Sequence, residues 1–527
     1  MLYQVFKRPT RFWLAILLAA CAIVAIFPLA AQVNPAGLPV ALPVWMPAVH
    51  AHALSIPVLP FSAPVNALAF LPQVQSDPDP SGFEGTYNAN GLTVTASNPF
   101  FQSLGSNGRT CATCHRPANG MSISAAAAQE IYVASQGRDP LFAPVDGANC
   151  PDLATSIQEY SVSDPNNPHS LLLNRAVFRI ALPWPPQGVT AEFSITPVSD
   201  PTHCELDRNY GLVAVNPMIS IYRRSLMAAN LKFVTTVIPS VVPPGVTLAT
   251  NPYTGQLESG NIMYDGREPN LASQATDATL GHAQAAHAPS AATVQEIVAF
   301  ENGIYSAQVF DTQALNLNDL GAFGGPSTLA ANQPGIATGG NTFLEYSSWA
   351  NVNWFSPEWQ RRASIVRGEA LFNTRRFMLS NVAGINDIPA VGNNIPATCS
   401  TCHSNKNVGN DVQPNAQIDE GTTNEAFALP APDLPLFKLT CSAGKSTSFN
   451  GSTVYVRDPG KALITGKCAD IGKIKSAQLR ALSSRAPYFH DGSAATLADV
   501  LTFYNKRFDI KFTAQEEQDL ISFLNTL

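Results

Sequence analysis

Two short stretches constrain this chain more than any other feature. "GRTCATCHRPANG" (108–120) and "PATCSTCHSNKN" (396–407) each set two cysteines three apart and follow the second directly with histidine. They use Cys111 and Cys114 beside His115, and Cys399 and Cys402 beside His403, in a chain of 527 residues with 9 cysteines.

Two thiols at this spacing can bond the two vinyl groups of one haem. The histidine next in sequence is then held beneath the iron as proximal ligand, and C-x-x-C-H is the attachment signature of c-type haem. Two other chemistries use paired C-x-x-C. Structural zinc keeps its knuckles much closer in sequence than these, and a thioredoxin-like pair needs a βαβ setting that is not found here. The expectation is two covalently bound haem c groups, with His115 and His403 on the two irons. Function then depends on the opposite face of each iron. A sixth protein ligand makes an electron carrier, whereas an open position admits peroxide or dioxygen. His169, His203, His282, His287 and His490 are the histidines available for such positions.

The N-terminus points to export. Lys7, Arg8 and Arg11 precede "FWLAILLAACAIVAIFPLAA", an apolar run of export length, so residues 1–31 read as a signal peptide or membrane anchor. "LAAC", ending at Cys21, resembles a lipoprotein box, although the apolar run continues beyond it. Localisation is therefore expected in the periplasm or cell exterior, with membrane anchoring open. Export permits oxidised pairs, and the economical pairing of the remaining cysteines is Cys150–Cys204 and Cys441–Cys468. Each such loop is worth about 3.5–4 kcal/mol in the chain-entropy picture.

A net charge of −7 with no basic stripe argues against nucleic acid as a partner. Residues 32–98 are rich in proline and alanine and read as a tether. Two cytochrome c-like modules follow at 99–310 and 356–527, joined by a glycine-rich connector at 311–355. Helix starts are visible at Thr293 with Glu296, at Thr496, and at Thr513 with Glu516. "AEFSITPV" and "LKFVTTVIPSVV" read as short strands. The fold class is mainly α, two haem domains with loop-rich and some β insertions.

Several stretches, in order, resemble the bacterial di-haem cytochrome c peroxidase and MauG superfamily. They are "NPFFQSLGSNGRTCATCH", "IMYDGREPNLASQA" (262–275), "IVRGEALF" (365–372) and "GKIKSAQLRALSSRAPYFHDGSAATLADVLTFYNKRF" (472–508). The resemblance implies that the first haem is the reaction centre and that the second relays electrons from a small redox protein. It implies an axial ligand fourteen residues beyond His490, where peroxidases carry methionine and this chain has Tyr504, like the MauG branch. Helical spacing independently puts Tyr504 on the same face as Leu497, Val500 and Leu501. His490 itself is implied near a haem edge, and a calcium ion is implied on the carbonyls of Arg485 and Pro487. The family's acid–base glutamate lies ten residues after the glutamine of L-x-x-Q-A. That glutamine is Gln274 here, and the position is Gln284, which cannot transfer protons. His282, two residues earlier, can, since imidazole titrates near neutral pH. The dissociable distal histidine of the family falls on Ile131. Arg109 and Arg267 suit haem propionates, and Arg267 equally suits an ion pair with Asp265.

The leading expectation is therefore a peroxidase-like oxidoreductase acting on hydrogen peroxide. Two alternatives stay open: an electron-transfer cytochrome without turnover, and a di-haem oxygenase using dioxygen on an organic substrate.

Overall fold

The structure is a computed structural model that describes residues 69–155, 160–236, 248–260, 262–332, 342–351, 356–409 and 417–527. The expected export segment and most of the tether lie outside the described residues. Among the described residues no helix is long and apolar enough to cross a membrane. Contacts divide the chain into Met1–Phe61 and Ser62–Leu527, and everything below concerns the second unit.

Each C-x-x-C-H motif is backed by its own apolar cluster. Around the first, the helices Leu271–Gly281 and Ala291–Gly303 bring Leu271, Ile297 and Phe300 against Phe100 and Ala112. Phe100 and Phe300 meet with ring centroids 4.6 Å apart and planes tilted by 45°. Around the second, the helix Pro357–Thr374 lies on Ala514–Leu524, and Phe343, Phe372 and Phe523 interlock. The two helices approach so closely that a Cβ on Gly368 would stand 2.0 Å from the Asp519 carbonyl oxygen, which only glycine permits. The Leu497–Phe508 and Ala514–Leu524 helices begin where the sequence places them, capped by Thr496 with Asp499 and Thr513 with Glu516. The helix expected at Thr293 starts earlier, at Ala291, because Ser290 accepts from the Thr293 amide and takes over the cap.

Strand is more than an insertion here. Among the described residues helix makes up 31% and strand 19%, so the mainly-α expectation holds only loosely. Within the expected tether, Val74–Asp79 and Gly82–Asn88 form a hairpin that pairs onto Ile304–Asp311. The proline content misleads because Pro78 lies in the outer strand of this sheet, where a missing N–H costs no ladder bond. Asp79 Oδ1 closes the turn by accepting from the amides of Ser81 (2.7 Å) and Gly82 (3.0 Å). The Phe193–Ser199 strand forms as expected, whereas Lys232–Thr235, read as strand, is a helical turn. Phe193–Ser199 pairs with Leu436–Cys441, so the first module's insertion is completed by the second module's. Phe193, Ile219, Phe437 and Leu439 pack together beneath that junction. Cys150 with Cys204, and Cys441 with Cys468, stand at disulfide-bonding distance.

Candidate functional site

The two C-x-x-C-H segments are built alike. Cys111–Cys114 and Cys399–Cys402 are single helical turns entered through Thr110 and Thr398. In each, the threonine three residues on closes a cap: the Thr110 amide donates to Thr113 Oγ1 (3.0 Å), and Thr398 to Thr401 Oγ1 (2.9 Å). The histidine amide then donates to the first cysteine's carbonyl, at 3.0 Å for His115 and 2.9 Å for His403. Each imidazole donates from Nδ1 to a carbonyl six residues on, His115 to Met121 and His403 to Gly409, both at 2.9 Å. Such a bond fixes the tautomer and leaves Nε2 as the ring nitrogen for a metal. Burial holds His115 below the usual imidazole range, favouring the neutral form that ligates. The four motif cysteines stand outside the disulfides. Burial pushes the thiols of Cys114 and Cys399 up to about 12, and that of Cys111 up as well, so the free thiols stay protonated.

Each segment borders a mostly apolar cavity, about 1200 Å³ at the first and 1410 Å³ at the second, open mouths included. Gln274 and His282 line the first cavity, from the Leu271–Gly281 helix and its C-cap. His282 Nδ1 is hydrogen-bonded to Asp146 Oδ2, and Asp146 Oδ1 is bonded to Arg109. Although burial opposes ionisation, Arg109 and His282 hold Asp146 below the usual carboxylate range. The Asp146 side chain is 4% exposed and that of His282 43%, so a buried anion orients an imidazole at the cavity mouth. Deeper in, Glu301 Oε2 is buried without a hydrogen-bond partner, and burial pushes that carboxyl up to about 8.

The second cavity brings His403 and Tyr504 together, their rings perpendicular with centroids 6.4 Å apart. The Tyr504 hydroxyl donates to Glu420 Oε2 at 3.0 Å. Burial and then Glu420 push the phenol well above its ordinary range. His490 is buried in the same wall with neither ring nitrogen hydrogen-bonded, its Nε2 3.7 Å from Asp458. Met378 is exposed and does not line the cavity. Paired thiols, an oriented imidazole, apolar walls and unpartnered polar atoms in each cavity are the donor set a c-type haem needs.

Other expected residues stand differently. Gln284 is exposed and outside the cavity wall; its Oε1 accepts from Asn107 (3.3 Å), because positive φ turns the chain outward there. The Arg109 guanidinium lines the cavity but is taken by Asp146 and the carbonyls of Pro140 and Leu141 (both 2.7 Å), leaving it poorly placed for propionates. Arg267 pairs with Asp265 at 2.9 Å, and Arg223 joins the same carboxylate at 2.5 Å. His169 is buried against Phe142, its Nδ1 donating to the Gly147 carbonyl at 2.8 Å, outside both cavities. The carbonyls of Arg485 and Pro487, expected to hold calcium, accept instead from the guanidinium of Arg224. Asp146, Glu301, Glu420 and Arg224 were not singled out in the sequence. Only the folded chain places them beside the motifs.

Among characterised proteins, cytochrome-c peroxidase IdrP2 of Pseudomonas sp. (strain SCT) is 32% identical over 142 residues, covering 25% of this chain and 36% of that one. Over that segment the chain is similar to cytochrome-c peroxidases. Cytochrome-c peroxidase IdrP1 of Denitromonas iodatirespirans is 34% identical over 113 residues, 18% of this chain and 30% of that protein. The chain thus spans only about a third of the length of the curated relatives it matches. No family model matches it. A crystal structure of a MauG-like protein associated with microbial copper homeostasis aligns at 16% identity over 57% of this chain and 83% of its own, with a TM-score of 0.28, too slight a likeness to bear on fold or function.

Proposed function

We propose that this chain is an exported di-haem c-type cytochrome that reduces hydrogen peroxide at the first site, with electrons supplied through the second by a small redox protein. The observation that carries the reading is the asymmetry of two otherwise matching cavities. The first holds an oriented His282–Asp146 pair with Gln274, and the second holds Tyr504 with Glu420 beside His403. Haem held by His115 and His403 would supply electron storage and a metal for peroxide chemistry.

The remaining work falls to the chain's own residues. Reducing hydrogen peroxide to two waters consumes two electrons and two protons. With Nδ1 committed to Asp146, His282 exchanges protons at Nε2, and the carboxylate keeps the ring in that orientation. The Gln274 amide offers a donor and an acceptor to a small polar substrate without itself titrating. Phe178, Ile180, Met227 and Leu271 keep bulk water from the deeper wall. At the second site Tyr504 would serve as a ligand to the metal, and its hydroxyl donates to Glu420. The apolar N-terminal run and the two cysteine pairs at bonding distance support an oxidising, extracytoplasmic setting.

The test is the haem content of the purified protein followed by its EPR and optical spectra, before and after one equivalent of hydrogen peroxide. Two haem c per chain and a high-spin ferric signal consumed by peroxide are expected. Two low-spin signals indifferent to peroxide overturn the enzyme and leave an electron carrier. Dioxygen uptake with an organic substrate, and no peroxide reaction, points to the oxygenase instead.

A further inference from the structure

The two cavities share a wall. Arg224, Tyr264, Gln478 and Arg485 line both, so whatever orders these residues sets how the two sites stand to each other. Arg224 ends the strand Met218–Arg224 and is 5% exposed. Its Nη1 donates to the Pro487 carbonyl, and its Nη2 to the carbonyls of Arg485 (2.5 Å) and Ile123 (2.8 Å). Its own amide donates to the His490 carbonyl at 2.7 Å. One side chain thus ties the segment after the first motif, through Ile123, to the segment bearing His490, through Arg485 and Pro487.

Those last two carbonyls are the ones on which family resemblance places calcium. The donor set does not fit that ion. Calcium takes six to eight oxygens at 2.3–2.6 Å, carboxylates usually among them. Here the carbonyls already accept from a guanidinium, and among the described residues no group of three or more His, Cys, Asp or Glu is placed to hold a metal. A second guanidinium, Arg485, stands alongside, donating through Nε to the Arg480 carbonyl at 3.1 Å and through Nη2 to that of Gln478. A divalent ion added beside two guanidinium groups in a buried setting meets strong repulsion. Burial and Arg485 lower Arg224 to about 10, which still leaves it charged at neutral pH.

We propose that Arg224 is the built-in cation of this joint: it takes the carbonyls that a calcium ion would need, and couples the two cavities without any metal. The chemistry is complete in the chain, since a fixed positive charge and planar N–H donors bridge carbonyls from both segments. Calcium is then neither bound nor required. This rests on the di-haem reading only for what is being coupled.

The test uses the purified holoprotein, dialysed once against calcium chloride and once against a chelator. Metal analysis is expected to find no retained calcium, with the same Tm and the same spectra in both samples. One calcium per chain with a raised Tm overturns the proposal outright, whatever the variants do. Arg224→Met is expected to lower Tm by about 5–10 °C and to abolish the response of the first site's spectrum to reduction of the second. Arg224→Lys, which keeps the charge, is expected to restore part of both. An Arg224→Met protein with unchanged Tm and unchanged inter-site response also overturns it. Haem stoichiometry, measured on the same samples, separates this from the functional reading: fewer than two haems per chain defeats the latter and leaves the calcium result standing.

Discussion

Replacing Asp146 with asparagine tests whether the His282–Asp146 contact does chemistry or merely packs. The substitution keeps the shape and removes the charge that accepts from His282 Nδ1 and from Arg109. A hydrogen bond to a charged group is worth about 1.5–3 kcal/mol. Because the His282 side chain is 43% exposed, solvent screening puts the share felt by the ring at about 1.5 kcal/mol. Carried into the transition state, that is about a tenfold loss of rate. The assay is stopped-flow consumption of hydrogen peroxide by the holoprotein between pH 5 and 9. Arg109 loses a partner as well, so the decisive arm is a cycle. His282→Gln alone should cost about a hundredfold or more, and adding Asp146→Asn to it should cost little further, because the carboxylate acts through the ring. If Asp146→Asn still costs tenfold in the His282→Gln background, it acts through Arg109 or the fold, and the positioning role is wrong.

Other outcomes follow from the same geometry. Glu205 is fully buried with Oε2 unpartnered, and burial pushes it up to about 8 from an ordinary 4.5. The folded chain therefore keeps a proton that the unfolded chain releases, and stability falls as pH rises through that window. Urea unfolding at pH 5.5 and 7.5 should show Glu205→Gln losing about 2–3 kcal/mol of that slope, and an unchanged slope refutes the assignment. Tyr504→Phe should change the oxidised spectrum of the second site and leave the first untouched, whereas a tyrosine that only packs leaves both alone. Replacing Cys399 and Cys402 together with serine should halve the covalent haem per chain, as read by pyridine haemochrome absorbance. Replacing Cys441 and Cys468 with serine opens a link across 27 residues and should cost about 3.5 kcal/mol of unfolding free energy; no loss in denaturant midpoint means the pair is not bonded.

What the sequence conveys is what is local. The C-x-x-C-H turns, their threonine caps and the helix starts at Thr496 and Thr513 depend on residues within one turn of each other, and all are legible. So is the face of the Leu497–Phe508 helix that carries Tyr504, since helical spacing groups it with Leu497, Val500 and Leu501 and all four line one cavity. The hairpin at 74–88 is hidden because its prolines signal a loop, and only its place at a sheet edge makes them acceptable. Asp146 is invisible because 136 residues of sequence separate it from His282 and no pattern links them. Arg224 is hidden for the same reason, 263 residues from the Pro487 carbonyl it serves. Gln284 shows the converse error. Its number in the motif is right, but a left-handed residue turns it to solvent, and counting along a chain cannot register that.

The pairing of Phe193–Ser199 with Leu436–Cys441 has a consequence for how the chain comes to be folded. A strand made early must wait, unpaired, until more than two hundred later residues have been synthesised, and such distant closures slow folding. Its exposed edge is meanwhile open to pairing with other chains. The Cys111–His115 segment is complete long before its neighbour across the shared wall exists. Cutting the chain in the connector to obtain each half alone leaves Phe193 and Phe437 without each other's cover, so single-site halves should aggregate where the whole chain stays soluble.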